Sequence, residues 1–499
     1  MSRFTKKTAG KDIVTNYEGE KAYRLDPKME LYSLVCTASL QRKFYTEDDE
    51  CIERLRDLIT KVPIEFTVKL AIYAREKMYL RSIPLVMAVE MCKIRKGKFY
   101  LIRDLITRII QRPDEIVEIL SYYQEANKRE GTKKLNKLSD PLWKGIAEAF
   151  HKFDEYQFSK YDRDTEVKLR DALFLCHPKP KGKVEKALFK KIAEKNLEVP
   201  YTWEVELSKE DGKSKKQKWE DLIYSGRLGY MAQLRNLRNM VEASVDNLQT
   251  VLNNLTEEEN VLRSRQLPFR FFSAYREIAE VGEFKSSAIM ECLESAILAS
   301  TKNIKGFDLN TNVFIACDMS GSMECALSEK SKIHLFEIGL VLGMLLRNKC
   351  KSVITGLFGE DWEIVQLPRV NILSNTHKLA NMIGLVGHST NGYLAIRWLI
   401  ENKKISDKVF VFTDCQLWDS NFNWYGTPST IKDEWEEYKK IAPNAKLYIF
   451  DLSGYGQAPI DIKRNDVFMI AGWSEKIFEV LDSLEKGESN LSEIEKIEL

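Results

Sequence analysis

In the stretch Asn312-Val-Phe-Ile-Ala-Cys-Asp318-Met-Ser320-Gly-Ser322-Met, an apolar run ends on a carboxylate, and two hydroxyls follow at alternate positions around a glycine. The run is too short for a helix and suits a buried strand. Asp318 then sits at the strand's C-terminal end, with Ser320 and Ser322 on the loop behind it. Ligands of open parallel α/β sheets bind at that end. Hard oxygen ligands suit Mg²⁺. The pattern predicts a Mg²⁺ site that takes a partner's carboxylate, rather than a catalytic centre.

Two later stretches can join it. Gly387-His-Ser-Thr390-Asn-Gly392 is a glycine-bounded loop before a helix, and Val409-Phe-Val-Phe-Thr413-Asp414 is a second strand ending on aspartate. In a doubly wound sheet these loops meet at one topological switch point. Together they supply Asp318, Ser320, Ser322, Thr390 and Asp414, a constellation that resembles the metal-ion-dependent adhesion site of von Willebrand factor A domains. The resemblance implies that the hydroxyls touch Mg²⁺ directly, that the aspartates act largely through water, and that one coordination position stays open. Two aspartates among neutral hydroxyls leave the ion under-neutralised, so an incoming acidic group would bind.

Two rival readings exist: Ser320 and Ser322 cap the next helix, or Asp318 is an aspartyl phosphoryl-transfer nucleophile. The second usually needs another carboxylate two residues on, where this chain has Ser320. There is no G-x-S-x-G elbow, Walker loop, H-E-x-x-H or Rossmann fingerprint after a strand. The chain therefore reads as a non-enzyme. His334 reads as structural and His388 as a solvated loop residue near the metal-site rim.

A second chemistry lies upstream. Leu169-Arg-Asp-Ala-Leu-Phe-Leu-Cys-His177-Pro-Lys179-Pro-Lys181-Gly-Lys183 predicts a helix ending in a basic proline-rich turn. Lysines at alternate positions cannot bury their charge and suit phosphates beside His177. Lys160 and Arg163 flank Tyr161, Arg235 and Arg238 lie one turn apart on a helix, and Arg265 precedes Pro268. Each alone reads as a solvated charge; as a group they suit a polyanion. Residues 1–300 carry a net +7 and residues 301–499 a net −5, within a chain total of +2. The split favours a polyanion on the first part.

The 499 residues suffice for two or more domains. Residues 1–27 read as an extended N-terminal segment. Residues 28–304 show helical periodicity in short runs opened by prolines such as Pro63, Pro84 and Pro113, the pattern of HEAT-like stacked helix pairs. Lys128–Ser139 reads as a basic link, Glu204–Lys218 as a mobile charged insertion, and Lys302–Leu309 as the domain boundary. Over 305–486 short apolar strands alternate with helices, which predicts a mostly parallel doubly wound sheet. Residues 487–499 read as a frayed acidic tail. Nine cysteines without a CxxC pair read as reduced, and no apolar run reaches bilayer length. A soluble cytoplasmic protein is expected.

The helical part and the metal motif together resemble the Ro autoantigen (SS-A/Ro) family, TROVE-module RNA-binding proteins that join a ring of HEAT-like repeats to a von Willebrand A domain. The residues that carry the resemblance are Leu169–Pro180, Met231-Ala-Gln-Leu-Arg235-Asn-Leu-Arg238, Arg265-Gln-Leu-Pro268-Phe, Ala316–Met323 and Val411–Asp414. It implies a monomeric ring that binds Y-like small noncoding RNAs on its outer surface and threads single-stranded ends of misfolded or damaged RNAs through a basic hole. It also implies RNA contacts at His177, Lys160 and Arg163. A nuclease or another protein with an acidic ligand would be the metal site's partner. Asp164 stands where a basic residue is expected, and Asn391 where many Ro proteins carry aspartate.

Overall fold

The computed structural model describes residues 13–38, 48–94, 98–128, 138–300, 311–327, 331–417, 429–489 and 491–499. The boundary expected at Lys302–Leu309 and most of the Lys128–Ser139 link lie outside the described residues. Two compact units divide the chain: Met1–Cys51 with Gln266–Glu493, and Ile52–Arg265 with Ile494–Leu499.

The first unit is built on a six-stranded sheet. Two N-terminal strands come first, β1 (Ile13–Thr15) and β2 (Lys21–Arg24). The sheet strands are β3 (Asn312–Asp318), β4 (Ser352–Phe358), β5 (Trp362–Ile364), β6 (Lys408–Thr413) and β7 (Lys446–Asp451), with β8 (Gln457–Ala458) outside it and β9 (Val467–Ala471) at its edge. The order is β5-β4-β3-β6-β7-β9, parallel except for β5. Every residue of β6 is buried, and so are the last six of β3, because helices cover both faces. The helix Leu335–Lys349 lies close enough that a Cβ on Gly343 would sit 3.1 Å from Cys317 Sγ. β4 and β6 lie on opposite sides of β3, so the chain reverses its winding there and opens a crevice beyond the C-terminal ends of β3 and β6.

The N-terminal segment is more than an extended arm. β1 and β2 form a hairpin, and β2 pairs with β8 (Tyr23↔Ala458). The next helix, Pro27–Cys36, starts on an Asp26 cap and packs on β9. There Tyr32 Oη both donates to Ala471 O and accepts from Ala471 N, each at 3.1 Å, and the Ser33 hydroxyl donates to buried Asp451. Two more helices assigned to the expected helical domain, Pro268–Ala279 and Glu283–Ser300, belong to this unit as well. Arg276 pairs with nearly buried Glu337 at 2.5 Å, and Glu294 caps the helix Ile372–Ala380 through the N–H groups of Leu373 and Ser374 at 3.1 and 2.7 Å. The compact units therefore divide the chain elsewhere than at 28, 304 and 486, because these tertiary bonds leave no mark on local periodicity.

The second unit is helical throughout its described residues. Its early helices include Ile64–Glu76, Ser82–Ile94, Phe99–Ile109, Pro113–Ala126 and Asp140–Ala149. Repetition shows in the polar ties between them. Arg56 bonds Glu90, Arg81 bonds Glu115 and His151 faces Glu185, each 34 residues on, while Arg108 bonds Glu76, 32 residues back. That interval is about one helix pair, so neighbouring pairs are tied by polar bonds as well as by packing. Arg75 and Glu115 are 2.7 Å apart and nearly buried; removing Glu115 would leave the Arg75 guanidinium without its carboxylate, at a cost of about 3–5 kcal/mol.

Two expected loose segments are ordered. The Glu204–Lys218 stretch overlaps two helices, Trp203–Ser208 and Lys215–Tyr224, whose Trp203 and Trp219 rings stack at 6.2 Å. Ser214 caps the second helix through Gln217 N, and Gln217 returns the bond. At the expected frayed tail, Ile494 is 1% exposed, and Lys69 and Arg108 donate to the carbonyls of Glu495 and Glu498. All nine cysteines are free. No described helix is long and apolar enough to cross a membrane.

Candidate metal centre and nucleic-acid interface

Asp318 ends β3 and Asp414 follows β6, neighbours in the sheet, so both carboxylates reach the switch-point crevice. Asp318 Oδ1 accepts from Ser320 N at 2.9 Å and its Oδ2 accepts from Thr413 Oγ1 at 2.6 Å. Asp414 Oδ1 accepts from Gln416 N at 3.0 Å. The Ser320 and Ser322 hydroxyl oxygens are 3.3 Å apart. Neighbouring backbone ties the loops together: Met319 N donates to Phe358 O and Gly321 N to His388 O, each at 2.9 Å. Thr390 is held through Asn391, whose N bonds Gly359 O and whose Nδ2 bonds Glu360 O, each at 2.9 Å. Gly359 admits this crossing, since a Cβ there would sit 2.5 Å from Gly387 O.

The five expected oxygen-bearing residues thus come from three loops, and none is more than 4% exposed. Among the described residues neither aspartate has an ion-pair partner. Burial pushes both carboxyls well above the ordinary range, and the nearby Asp318 charge raises Asp414 further. Among the described residues, two buried atoms of the site are left without a hydrogen-bond partner, Asp414 Oδ2 and Thr390 Oγ1. Such orphans need a reason. A divalent cation would supply one, because it would neutralise both carboxylates and give the hydroxyls a ligand. No group of three or more His, Cys, Asp or Glu side chains among the described residues could hold a metal. An ion at this place must draw on hydroxyls, as this donor set allows. His388 sits on the rim, exposed, with Nδ1 3.0 Å from Glu324. His334 stacks on Phe336 at the start of its helix, in a structural role.

Sequence reading missed three supporting residues. Thr413 locks Asp318, as above. Tyr17 N donates to Gln416 Oε1 at 2.9 Å, and Asn16 Nδ2 donates to Leu417 O at 2.8 Å, so the β1–β2 turn grips the loop that carries Asp414. No local signal in Asn16 or Gln416 announces this.

In the helical unit, His177 ends the helix Leu169–Cys176 in the left-handed region (φ 44°), and its N–H bonds Leu173 O at 3.0 Å. Pro178 cannot continue the helix, so the following lysines swing outward. His177, Lys179 and Lys181 line a cleft of about 1050 Å³. Arg103, Arg108, Trp143, Lys144 and Lys152 line it from helices nearer the N-terminus. Sequence reading missed those five, because they are scattered over 50 residues and only packing gathers them. Most of these cations are already engaged: Arg108 with Glu76 at 2.6 Å, Lys144 with Asp140 at 2.8 Å, and Lys152 with Thr107 O at 2.8 Å.

The other expected contacts do not line this cleft. Lys160 is exposed near the Tyr156 and Tyr161 rings, and Arg163 is exposed. Asp164 pairs with Lys168 at 2.6 Å. Arg235 is exposed on its helix, Arg238 pairs with Glu242 at 2.8 Å, and Arg265 lies 5.9 Å from the Tyr79 ring. Three of the eight expected contacts therefore share one cleft.

Comparison with known proteins places both units. The TROVE domain matches residues 21–198 and 193–334, and the Ro60 vWA domain matches residues 312–484. Telomerase protein component 1 of Rattus norvegicus is 25% identical over 339 residues, covering 50% of this chain and 13% of that protein. The Mus musculus protein of the same name is 25% identical over 343 residues, covering 51% and 13%. The chain thus matches only a small part of these relatives' length. The crystal structure of the Deinococcus radiodurans RO (RSR) protein superposes with a TM-score of 0.60 at 16% identity, covering 93% of this chain and 100% of that one. That likeness establishes a shared fold.

Proposed function

The chain belongs to the TROVE family of RNA-binding proteins, and on that premise we propose that it is a noncatalytic protein of a small ribonucleoprotein. It holds Y-like small noncoding RNAs and the single-stranded ends of misfolded or damaged RNAs for RNA quality control, in the cytoplasm. The observation that carries this reading is the cleft at which His177, Lys179 and Lys181 meet cations from earlier helices. A cationic surface of this kind takes phosphates without reading bases, so shape and a free end do the selecting. In a ring of helical repeats a flexible strand passes and a duplex is stopped.

Ser320, Ser322 and Thr390 would hold Mg²⁺ through their hydroxyls, with Asp318 and Asp414 acting through water. The ion would supply a positive centre for a carboxylate of a nuclease or another protein. The orphaned oxygens of Thr390 and Asp414 favour a second reading, in which the protein is a Mg²⁺-dependent protein-binding adaptor. Electrophoretic mobility shift with a structured small RNA separates the two. The RNA reading expects affinity that falls steeply with salt and drops when Lys160, Arg163, Lys179, Lys181, Arg235 and Arg238 are changed to glutamate. Unchanged binding with little salt dependence would leave the adaptor reading.

A further inference from the structure

Trp143 stands out among the cleft residues, because phosphate binding gives an indole no task. It lies on the helix Asp140–Ala149, in the same cleft as His177, Lys179 and Lys181. Its orientation is fixed from one turn back: the indole N–H donates to Asp140 Oδ1 at 3.3 Å. The same carboxylate holds Lys144 at 2.8 Å, and Lys144 Nζ sits 5.3 Å from the indole centroid. Asp140 thereby sets an aromatic ring and a cation side by side. The ring lines the cleft only half-buried, and its N–H already has a partner, so the apolar ring is what remains for a ligand to contact.

The same cleft also carries free charge. Among the described residues, the side chains of His177 and Lys179 have no hydrogen-bond or ion-pair partner, whereas Lys181 has only a long, exposed contact with Glu148 at 3.7 Å. In the cleft that Trp143 also lines, these are the groups a phosphate can reach without first breaking a bond. Aromatic face and phosphate anchors in one recess match the two parts of a nucleotide. In a duplex both faces of a base are stacked on its neighbours and closed to an indole, and only an unpaired base can offer one.

We propose that this cleft is a subsite for a single unpaired nucleotide, its base stacked on Trp143 and its flanking phosphate held by His177 and Lys179. The proposal rests on the RNA-binding reading above and adds the conformational class of the ligand. The cleft would then recognise a bulged or overhanging residue of a structured RNA, and the helical flanks would be bound less strongly.

The test is fluorescence anisotropy with two labelled RNAs, a blunt hairpin and the same hairpin with a short single-stranded tail, at one salt concentration. Expected is that W143A weakens the tailed RNA roughly tenfold, within the range for loss of one base–aromatic stack, and leaves the blunt hairpin within twofold. W143F should recover most of the loss, and circular dichroism of both variants should match the parent. Replacing the tail nucleotides by abasic residues should erase the difference between W143A and the parent. The inference is overturned if K179E/K181E weakens the tailed RNA while W143A does not; the RNA reading then survives. It is also overturned if W143A weakens both RNAs equally, or if W143F binds no better than W143A. Should the parent protein bind neither RNA, the RNA reading falls and the subsite with it.

Discussion

Among the described residues, Asp318 and Asp414 lie buried with no cationic side chain paired to them and one carboxylate oxygen unpartnered, whereas Lys144 and Arg108 lie nearer the surface in ion pairs and Lys152 is bonded to a backbone carbonyl. The first site concentrates unbalanced negative charge at low dielectric, where a single small ion is strongly attracted and salt screens little. The second spreads cations whose existing pairs are worth about 0–1 kcal/mol each when exposed. A phosphate chain can displace such partners. One arrangement suits a point charge held in place; the other suits an extended polyanion that exchanges.

That contrast can be broken most forcefully at the cleft. K179E/K181E should lower affinity for structured RNA by roughly a hundredfold, as two charge-assisted contacts of about 1.5 kcal/mol each are lost. The slope of log affinity against log salt should shrink by about two. Filter binding at several salt concentrations measures both, and the thermal shift on adding Mg²⁺ should stay as in the parent.

D414A makes the reciprocal change. With Mg²⁺ at a hundredfold excess over its dissociation constant, the parent should gain about 2.7 kcal/mol of stability. D414A should show no such gain and keep its RNA affinity within twofold. A full Mg²⁺ response in D414A would remove the metal site from the comparison.

pH sharpens the same point with a defined sign. Burial raises the carboxyl of Asp318 to about 6 and that of Asp414, which also feels Asp318, to about 7, so the folded state binds more protons than the unfolded one. Stability then falls as pH rises from the ordinary carboxylate range through these values. In chelator, the urea midpoint should therefore decline between about pH 4 and pH 7, and D414N should flatten the decline. Mg²⁺ should remove it, since the ion favours the ionised pair.

The smallest effect expected is at the brace. Gln416→Ala removes the link from Tyr17 N to the Asp414 loop without touching an oxygen of the site, and should weaken Mg²⁺ binding about two- to fivefold by titration calorimetry, as loss of one net hydrogen bond would.

Much of this was legible in the residues. The strands β3, β4, β6, β7 and β9 announce themselves because a sheet covered on both faces needs continuous apolar runs. The five oxygen-bearing residues followed, because strand ends and glycine-bounded loops have fixed places in a doubly wound sheet. β1 and β2 were not legible: a short hairpin such as Ile13–Thr15 and Lys21–Arg24 has too few residues to show alternation. Trp203–Ser208 and Lys215–Tyr224 hid behind their charge, although the Ser214–Gln217 capping box was there to be read. Trp143 and Lys152 gave no sign of the cleft, since only the stacking of helix pairs brings them to His177.

The interleaving of the two units also bears on how the chain is made. Residues Ile52–Arg265 of the second unit emerge between the N-terminal hairpin and the strands that complete the first, and its closing segment Ile494–Leu499 emerges after them. Tyr32 meets Ala471 439 positions later, and Tyr23 waits for Ala458. At roughly 5–20 residues per second, the hairpin and first helix spend about 20–90 s of synthesis without their partners. The helical unit, whose ties span only about 34 positions, can close during that interval. Assembly would therefore run from the middle of the polypeptide outward, and the sheet unit, with its Asp318–Asp414 pair, would form after the bulk of the helical unit.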